Sequence, residues 1–301
     1  MNSPIHVLLA GDREYSPFLL EGLTNKSFLE MPDGQLLNRT LRAIVDARYV
    51  KVLVVVGPEL LRPRIPRSLN GIRTVFIEQR DSFSENVSVA LQWVQQHYPS
   101  SSAIFITNDA PLLTSGELDR FASVVESDHA AINIAVARVP EADLQSSLVR
   151  QYIRSIVTLS DGPYLIANQV SLTPAVIEII STIQALFDLR KQSRLKTSGR
   201  TLIYALRQSK NLKIVMMWLR LIVAKRVWLR KPRSQVVSKV ALPVAAIESG
   251  LEEFIGHNLR VRITEIPDSM GCFDADTQEQ LEELRKVITT QPQFKPKAAH
   301  A

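Results

Sequence analysis

One cysteine, Cys272, stands in a chain of 301 residues. That excludes an intramolecular disulfide framework and any cysteine-rich zinc site, and it agrees with a reducing compartment. No secretory leader is expected either. The opening apolar run, Ile5 to Ala10, is too short for a signal-peptide core and lacks a basic stretch or a cleavage site. The cytoplasm is the expected location. There is no internal repeat. Acidic residues are nearly absent from one window: between 183 and 233 the only acid is Asp188. The same window holds Arg190, Lys191, Arg194, Lys196, Arg200, Arg207, Lys210, Lys213, Arg220, Lys225, Arg226, Arg230, Lys231 and Arg233. The net charge of +6 therefore belongs to one segment and not to the whole surface. No recognised RNA or DNA motif surrounds it, so no nucleic acid is expected as a partner.

What remains is an ordinary globular composition. Apolar residues make up 46% of the chain, which excludes wholesale disorder and a plain membrane protein. Its length suits one α/β domain, or one with an insertion. Short apolar runs read as buried strands at Val7–Ala10, Val50–Val56, Thr74–Ile77, Ala103–Thr107, Ile132–Val139 and Val261–Ile266. Helical patterns fill the gaps at Leu36–Ala47, Glu85–His97 and Gly116–Glu126, with another at Thr277–Ile288. Alternating strands and helices imply a mainly parallel sheet covered on both faces. Such sheets bind ligands beyond the carboxyl ends of their strands, where Gly11 and Asp109 fall. The expected organisation is a domain of residues 1–182 and 241–290, a basic helical insertion at 183–240, and a disordered tail at 291–301.

Three short motifs carry chemistry. The first is Leu9-Ala10-Gly11 with Asn25-Lys26 after it. A lysine on the loop after the first strand is well placed to meet phosphates. The second is Asp109-Ala110-Pro111-Leu112-Leu113-Thr114. A carboxylate just past a buried strand can hold a hard cation such as Mg²⁺, which prefers oxygen ligands, or it can serve as a turn residue. The third is Phe273-Asp274-Ala275-Asp276-Thr277. If this stretch is extended, Asp274 and Asp276 point the same way, and one or both can complete a metal site. Asp276 or Thr277 can also cap the last helix. Ser84, ahead of the helical run at 85, reads as an N-cap, and Ser84 and Asn86 could contact a nucleotide base.

As an ordered set, these motifs resemble the MobA-like nucleotidyltransferase superfamily, which includes molybdenum cofactor guanylyltransferase and sugar-phosphate nucleotidyltransferases. The helix beginning Gln35-Leu36-Leu37-Asn38-Arg39-Thr40-Leu41 also looks like the one after that family's lysine loop. The resemblance covers roughly 1–180 and 258–290. It implies a glycosyltransferase-A-like three-layer sandwich and transfer of a nucleotidyl group, with pyrophosphate leaving. It further implies that Asp109, with Asp274 or Asp276, holds Mg²⁺. Lys26 would contact the phosphates or the acceptor, and Leu9, Ala10, Gly11, Ser84 and Asn86 would line the nucleotide. The first loop departs from the pattern: Asp12 replaces a second glycine, and Arg13 comes too early for the family arginine. This keeps two other readings open, a non-catalytic nucleotide-binding regulator and a sugar transferase that uses a nucleotide sugar. The implied partners are a nucleoside triphosphate and a small anionic acceptor.

The insertion adds a question of its own. Leu212–Leu229 is rich in apolar residues, but Lys213, Arg220, Lys225 and Arg226 interrupt it. Those charges count against a spanning helix. Two readings remain: a helical subdomain packed over the acceptor side, or peripheral contact of 183–233 with an anionic membrane through Trp218 and Trp228.

Overall fold

Every residue of the first strand is buried, which a strand manages only when both faces of its sheet are covered. The computed structural model describes residues 3–11, 25–153, 155–180, 212–230, 235–256, 259–267 and 269–291. In chain order its strands are β1 (Ile5–Leu9), β2 (Glu30–Met31), β3 (Gly34–Gln35), β4 (Val52–Gly57), β5 (Ser68–Leu69) and β6 (Ile72–Glu78). There follow β7 (Ala103–Thr107), β8 (Ile132–Arg138), β9 (Val157–Leu159), β10 (Gly162–Leu172) and β11 (Val261–Glu265). The helices are α1 (Leu36–Val45), α2 (Phe83–His97), α3 (Ser115–Ser127), α4 (Ser147–Gln151), α5 (Leu212–Arg230), α6 (Gln235–Val240), α7 (Val244–Ile255) and α8 (Gln278–Thr290).

The main sheet runs β11-β8-β10-β7-β1-β4-β6-β5, with β9 on β10. β1 pairs in parallel with β4 and β7, β4 with β6, and β8 with β11. β10 lies antiparallel between β7 and β8, so β8 still runs with β1. The sheet is mostly parallel, as the alternating pattern predicted. The short strands β5 and β9 also pair antiparallel, with β6 and β10. β10 is the departure inside the sheet. The sequence reading has no strand there, because Gly162-Pro163 opens it and a break in register between Ile166 and Val170 destroys the alternation that marks a strand.

Side-chain alternation divides the core into two layers. Leu8, Leu53, Val55, Ile104 and Ile106 pack with α1, α3 and α8. Val7, Leu9, Val54, Val56 and Phe105 pack on the other face with Val87, Leu91 and Val94 of α2. The parallel strands β1, β4, β6 and β7 all end at one edge; Gly11 follows β1 there and Asp109 follows β7, while Asp274 and Asp276 come from the segment between β11 and α8.

The described part of the basic segment is helix α5. Its Ala224 and Trp228 lie in the same hydrophobic core as Leu8 and Ile106. The predicted tail beyond Gln291 and the stretch 181–211 lie outside the described residues.

Candidate functional site

Asp109 is set by the turn around it. Asn108 N–H donates to Leu9 O at 3.1 Å, carrying the β1–β7 ladder one step past Thr107. Leu113 N–H then closes a turn onto Ala110 O at 3.1 Å, and the buried Ala110 and Leu112 pin that turn to the core. Thr114 caps α3 in a reciprocal capping box with Glu117. Arg39, from α1, donates to Pro111 O at 2.9 Å and pairs with Asp33 at 2.6 Å. The proline turn is therefore held from three sides.

Glu117 also reaches the third motif. One carboxylate oxygen accepts from Thr114 N–H at 3.0 Å. The other accepts from the backbone N–H groups of Met270 and Gly271. Burial raises its carboxyl above the usual range, and the three backbone donors oppose that rise. Ala275 N–H donates to Asp109 O at 3.0 Å. Asp274 and Asp276 flank Ala275, and both face Asp109. The Phe273 ring meets Tyr152 edge-on at 4.9 Å, and the Tyr152 hydroxyl donates to Asp274 O. Thr277, and not Asp276, caps α8: its hydroxyl accepts from Gln280 N–H at 3.2 Å. The Gln280 side chain in turn holds Asp276 N–H at 3.0 Å. The Asp276 carboxylate faces the site, where it meets Lys26.

Lys26 comes from the third direction. Asn25 caps the short 3-10 turn Lys26–Phe28 by accepting from Ser27 N–H at 2.7 Å. The same side chain donates to Ala10 O at 3.1 Å, and Asn108 donates to Ser27 Oγ at 2.7 Å. This buried network joins the ends of β1 and β7 to the lysine loop. Lys26 Nζ lies 2.9 Å from Asp276 Oδ1 and 3.7 Å from Asp109 Oδ2.

One oxygen from each of Asp109, Asp274 and Asp276 lies within 4.8 Å of the others. Asp274 is pushed up to about 7, first by burial and then by its neighbours Asp109 and Asp276, with Lys26 opposing. Asp109 Oδ1 is buried with no hydrogen-bond partner among the described residues. Three crowded carboxylates with an unused oxygen fit a hard divalent cation, which takes all-oxygen ligands. The donor set includes neither thiol nor imidazole. The nearby Cys272 is buried, and burial raises its thiol well above the ordinary range, so it stays protonated.

Leu9, Ala10 and Gly11 stand at the same edge but differ in use. The Leu9 and Ala10 side chains are core, and Ala10 N–H is already bonded to Val56 O at 2.8 Å. Gly11 is exposed. A Cβ on it would meet Gln79 Oε1 at 2.7 Å and Asn86 Nδ2 at 3.7 Å, so a side chain here would have to displace the Gln79 amide. Asn86 accepts from Arg80 N–H at 2.6 Å, and the buried Gln79 Oε1 has no partner among the described residues. The N-cap reading of Ser84 is corrected. Ser82 caps α2, because Glu85 lies three residues after it and closes the capping box. Ser84 Oγ sits 3.1 Å from Ser82 Oγ. Asp12, Arg13 and Gly22 lie outside the described residues. The sequence places Asn25 in the lysine motif without assigning it a role, and does not mark Arg39, Asn108, Glu117, Tyr152 or Gln79 as parts of the site. The available signal is adjacency, since Asn25 and Asn108 each precede a charged residue of the site.

Comparison with known proteins agrees with this architecture. The family model described as the MobA-like NTP transferase domain matches residues 7–205. No curated protein matches the chain. Among solved structures, a hypothetical transferase from Thermus thermophilus superposes with a TM-score of 0.59 at 18% identity, covering 93% of this chain and 100% of its own. CMP:2-keto-3-deoxy-manno-octonic acid synthetase complexed with CTP gives 0.51 at 11% identity, covering 95% of this chain and 99% of its own. The 4-diphosphocytidyl-2C-methyl-D-erythritol synthase from Anaerococcus prevotii gives 0.51 at 9%, covering 96% of each chain. At these identities the likeness is one of fold.

Proposed function

The chain belongs to the MobA-like NTP transferase family, and on that premise we propose that it moves a nucleoside monophosphate from a nucleoside triphosphate to a small phosphorylated or cofactor-like acceptor. An acceptor oxygen forms a bond to the α-phosphorus. The bridging bond from the α-phosphorus to the β-phosphate oxygen breaks, and pyrophosphate leaves. The observation that carries this reading is the convergence of Asp109, Asp274 and Asp276 with Lys26.

Asp109, Asp274 and Asp276 would hold Mg²⁺. The ion, when bound, supplies charge neutralisation for the triphosphate and the departing pyrophosphate. Lys26 bridges two of the carboxylates, and its ammonium would turn to phosphate once they bind a cation. Gly11 lets the nucleotide approach backbone. Asn86 steadies the Arg80 backbone, and Ser84 and Asn86 border the base side. The protein's work is positioning and charge, with no covalent intermediate. The acceptor is small and anionic, and the cytoplasm is the proposed location. Peripheral contact of 183–233 with an anionic membrane suits the same reading, because it brings the site to an acceptor held at a lipid surface.

A second reading is a regulator that binds nucleotide without turnover. Asp12 favours it, because a carboxylate in the phosphate loop repels triphosphate. The test is pyrophosphate release from each of the common triphosphates, with Mg²⁺ and a panel of phosphorylated acceptors. Release supports transfer. Release of nucleoside diphosphate from nucleotide sugars would select a sugar transferase, and binding without turnover would select the regulator.

A further inference from the structure

Among the described residues, large hydrophobic side chains are exposed at few places, and helix α5 has most of them. Met216 is 49% exposed, Trp218 38%, Val223 43% and Leu229 46%. Among the described residues only Leu60 and Ile166 join them. The opposite face of α5 is firmly seated. Met217, Ala224 and Trp228 are buried, following the spacing of one helical stripe. Met217 fits against Gly250 of α7, where a Cβ would stand 2.5 Å from its sulfur. Arg220 Nε donates to Val240 O at 3.0 Å and Nη2 to Ala241 O at 3.3 Å, which satisfies carbonyls at the end of α6. The helix cannot roll its outer residues inward without losing these contacts.

A helix that is apolar on both faces has an unmet partner on one of them. Its charge says what kind of partner. Residues 212–230 contain no Asp or Glu. Trp218, Ile222 and Leu229 fall on one outward stripe by their spacing, beside Lys225 and Arg226, and Arg226 and Arg230 are exposed. The neighbouring stretch 190–210 is basic throughout in sequence. A second copy of this chain would bring positive charge against positive charge. No described helix is long and apolar enough to cross a membrane. An anionic lipid surface satisfies both halves of the pattern: acyl chains receive the tryptophan and leucine, and headgroups receive the arginines.

We propose that the outward face of α5, centred on Trp218, Ile222 and Leu229 and flanked by Arg226 and Arg230, is a docking surface for an anionic membrane. The surface lies outside the carboxylate site and does not depend on which reaction that site performs.

The test is cosedimentation of the full chain with vesicles of phosphatidylcholine, with and without phosphatidylglycerol, at low and high salt. Binding to the anionic vesicles only, weakened by salt, is expected. Substituting Trp218→Ser and Leu229→Ser together should lower partitioning at least tenfold. Arg226→Gln or Arg230→Gln alone should lower it about fivefold, the factor for one basic residue near such a surface. These side chains are exposed, so thermal unfolding should not move. Asp109→Ala should bind vesicles as the unaltered chain does, which separates this result from any failure of the catalytic reading. The proposal is overturned by absence from both lipid fractions at low salt, by equal binding to neutral vesicles, or by partitioning that ignores Trp218 and Leu229. Lipid-free self-association abolished by Trp218→Ser, seen by light scattering, would overturn it in favour of a second copy.

Discussion

Lys26 and Asp276 meet across 250 residues of sequence, whereas Met216, Trp218, Val223 and Leu229 share one helix. The first pair belongs to a site of half-buried charges, tied together by hydrogen bonds that cross between loops, most of them made by side chains. The second group is a surface of exposed side chains on a firmly seated helix. At the sheet edge the chemistry is a product of the whole fold, so loss of one buried acceptor should disturb several ligands together. On α5 the chemistry is a sum over side chains, so substitutions should have graded, nearly independent effects.

The largest expected effect comes from Asp109→Ala. Mg²⁺-dependent pyrophosphate release should fall by about 10²–10³-fold or more, the usual cost of losing one preorganised charge-stabilising group, while circular dichroism stays unchanged. Retained activity would mean that the edge is not the cooperative unit described above. Next in size is Glu117→Gln. One amide donor would replace an oxygen that now accepts backbone N–H groups. A loss of about 1–3 kcal/mol is expected for such a buried acceptor, measured by urea unfolding. Because Glu117 ties the proline turn to the segment bearing Asp274, weaker Mn²⁺ binding by electron paramagnetic resonance should accompany it. Unchanged Mn²⁺ affinity would reduce Glu117 to a helix cap.

Acidity sharpens the same contrast. Asp274 is raised from its ordinary 3.8 to about 7, so below pH 7 it holds a proton that a cation must displace. Divalent-metal affinity should therefore fall about tenfold per pH unit below 7 and level off above it. Vesicle binding through α5, which relies on arginines and apolar groups, should not change over that interval. A metal affinity that is flat from pH 5 to 8 would remove Asp274 from the ligand set. The smallest effect separates two neighbouring serines. Ser82→Ala should cost about 1 kcal/mol of stability as a lost N-cap, and Ser84→Ala much less. Equal losses would contradict the capping geometry.

The two regions were unequally legible in the sequence. The parallel strands and their helices follow from short apolar runs and period, because burial on both faces leaves a strong signal. Asp109, Asp274 and Asp276 were found because each lies just past an apolar run or before a helix. Their ties were not, because a contact such as Glu117 with Met270 leaves no local trace. Glu117 reads as an ordinary capping-box glutamate, and it is one; its second oxygen is committed by tertiary structure alone. β10 leaves no clear strand signal because its bulge breaks the alternation, and Ser82 rather than Ser84 has the three-residue spacing to Glu85 that a capping box needs. In α5 the composition was plain, but which tryptophan faces outward was not. Trp228 is 5% exposed and Trp218 38%, a division set by the packing of Met217 and Ala224.

The measurement that bears most directly on the carboxylate edge is calorimetric titration of the purified chain with each common nucleoside triphosphate, in Mg²⁺ and again in chelator. Binding that requires Mg²⁺ and disappears in Asp109→Ala is the expected result. No heat of binding with any triphosphate in Mg²⁺, or equal binding in chelator, would contradict a site built to hold a nucleotide through a metal.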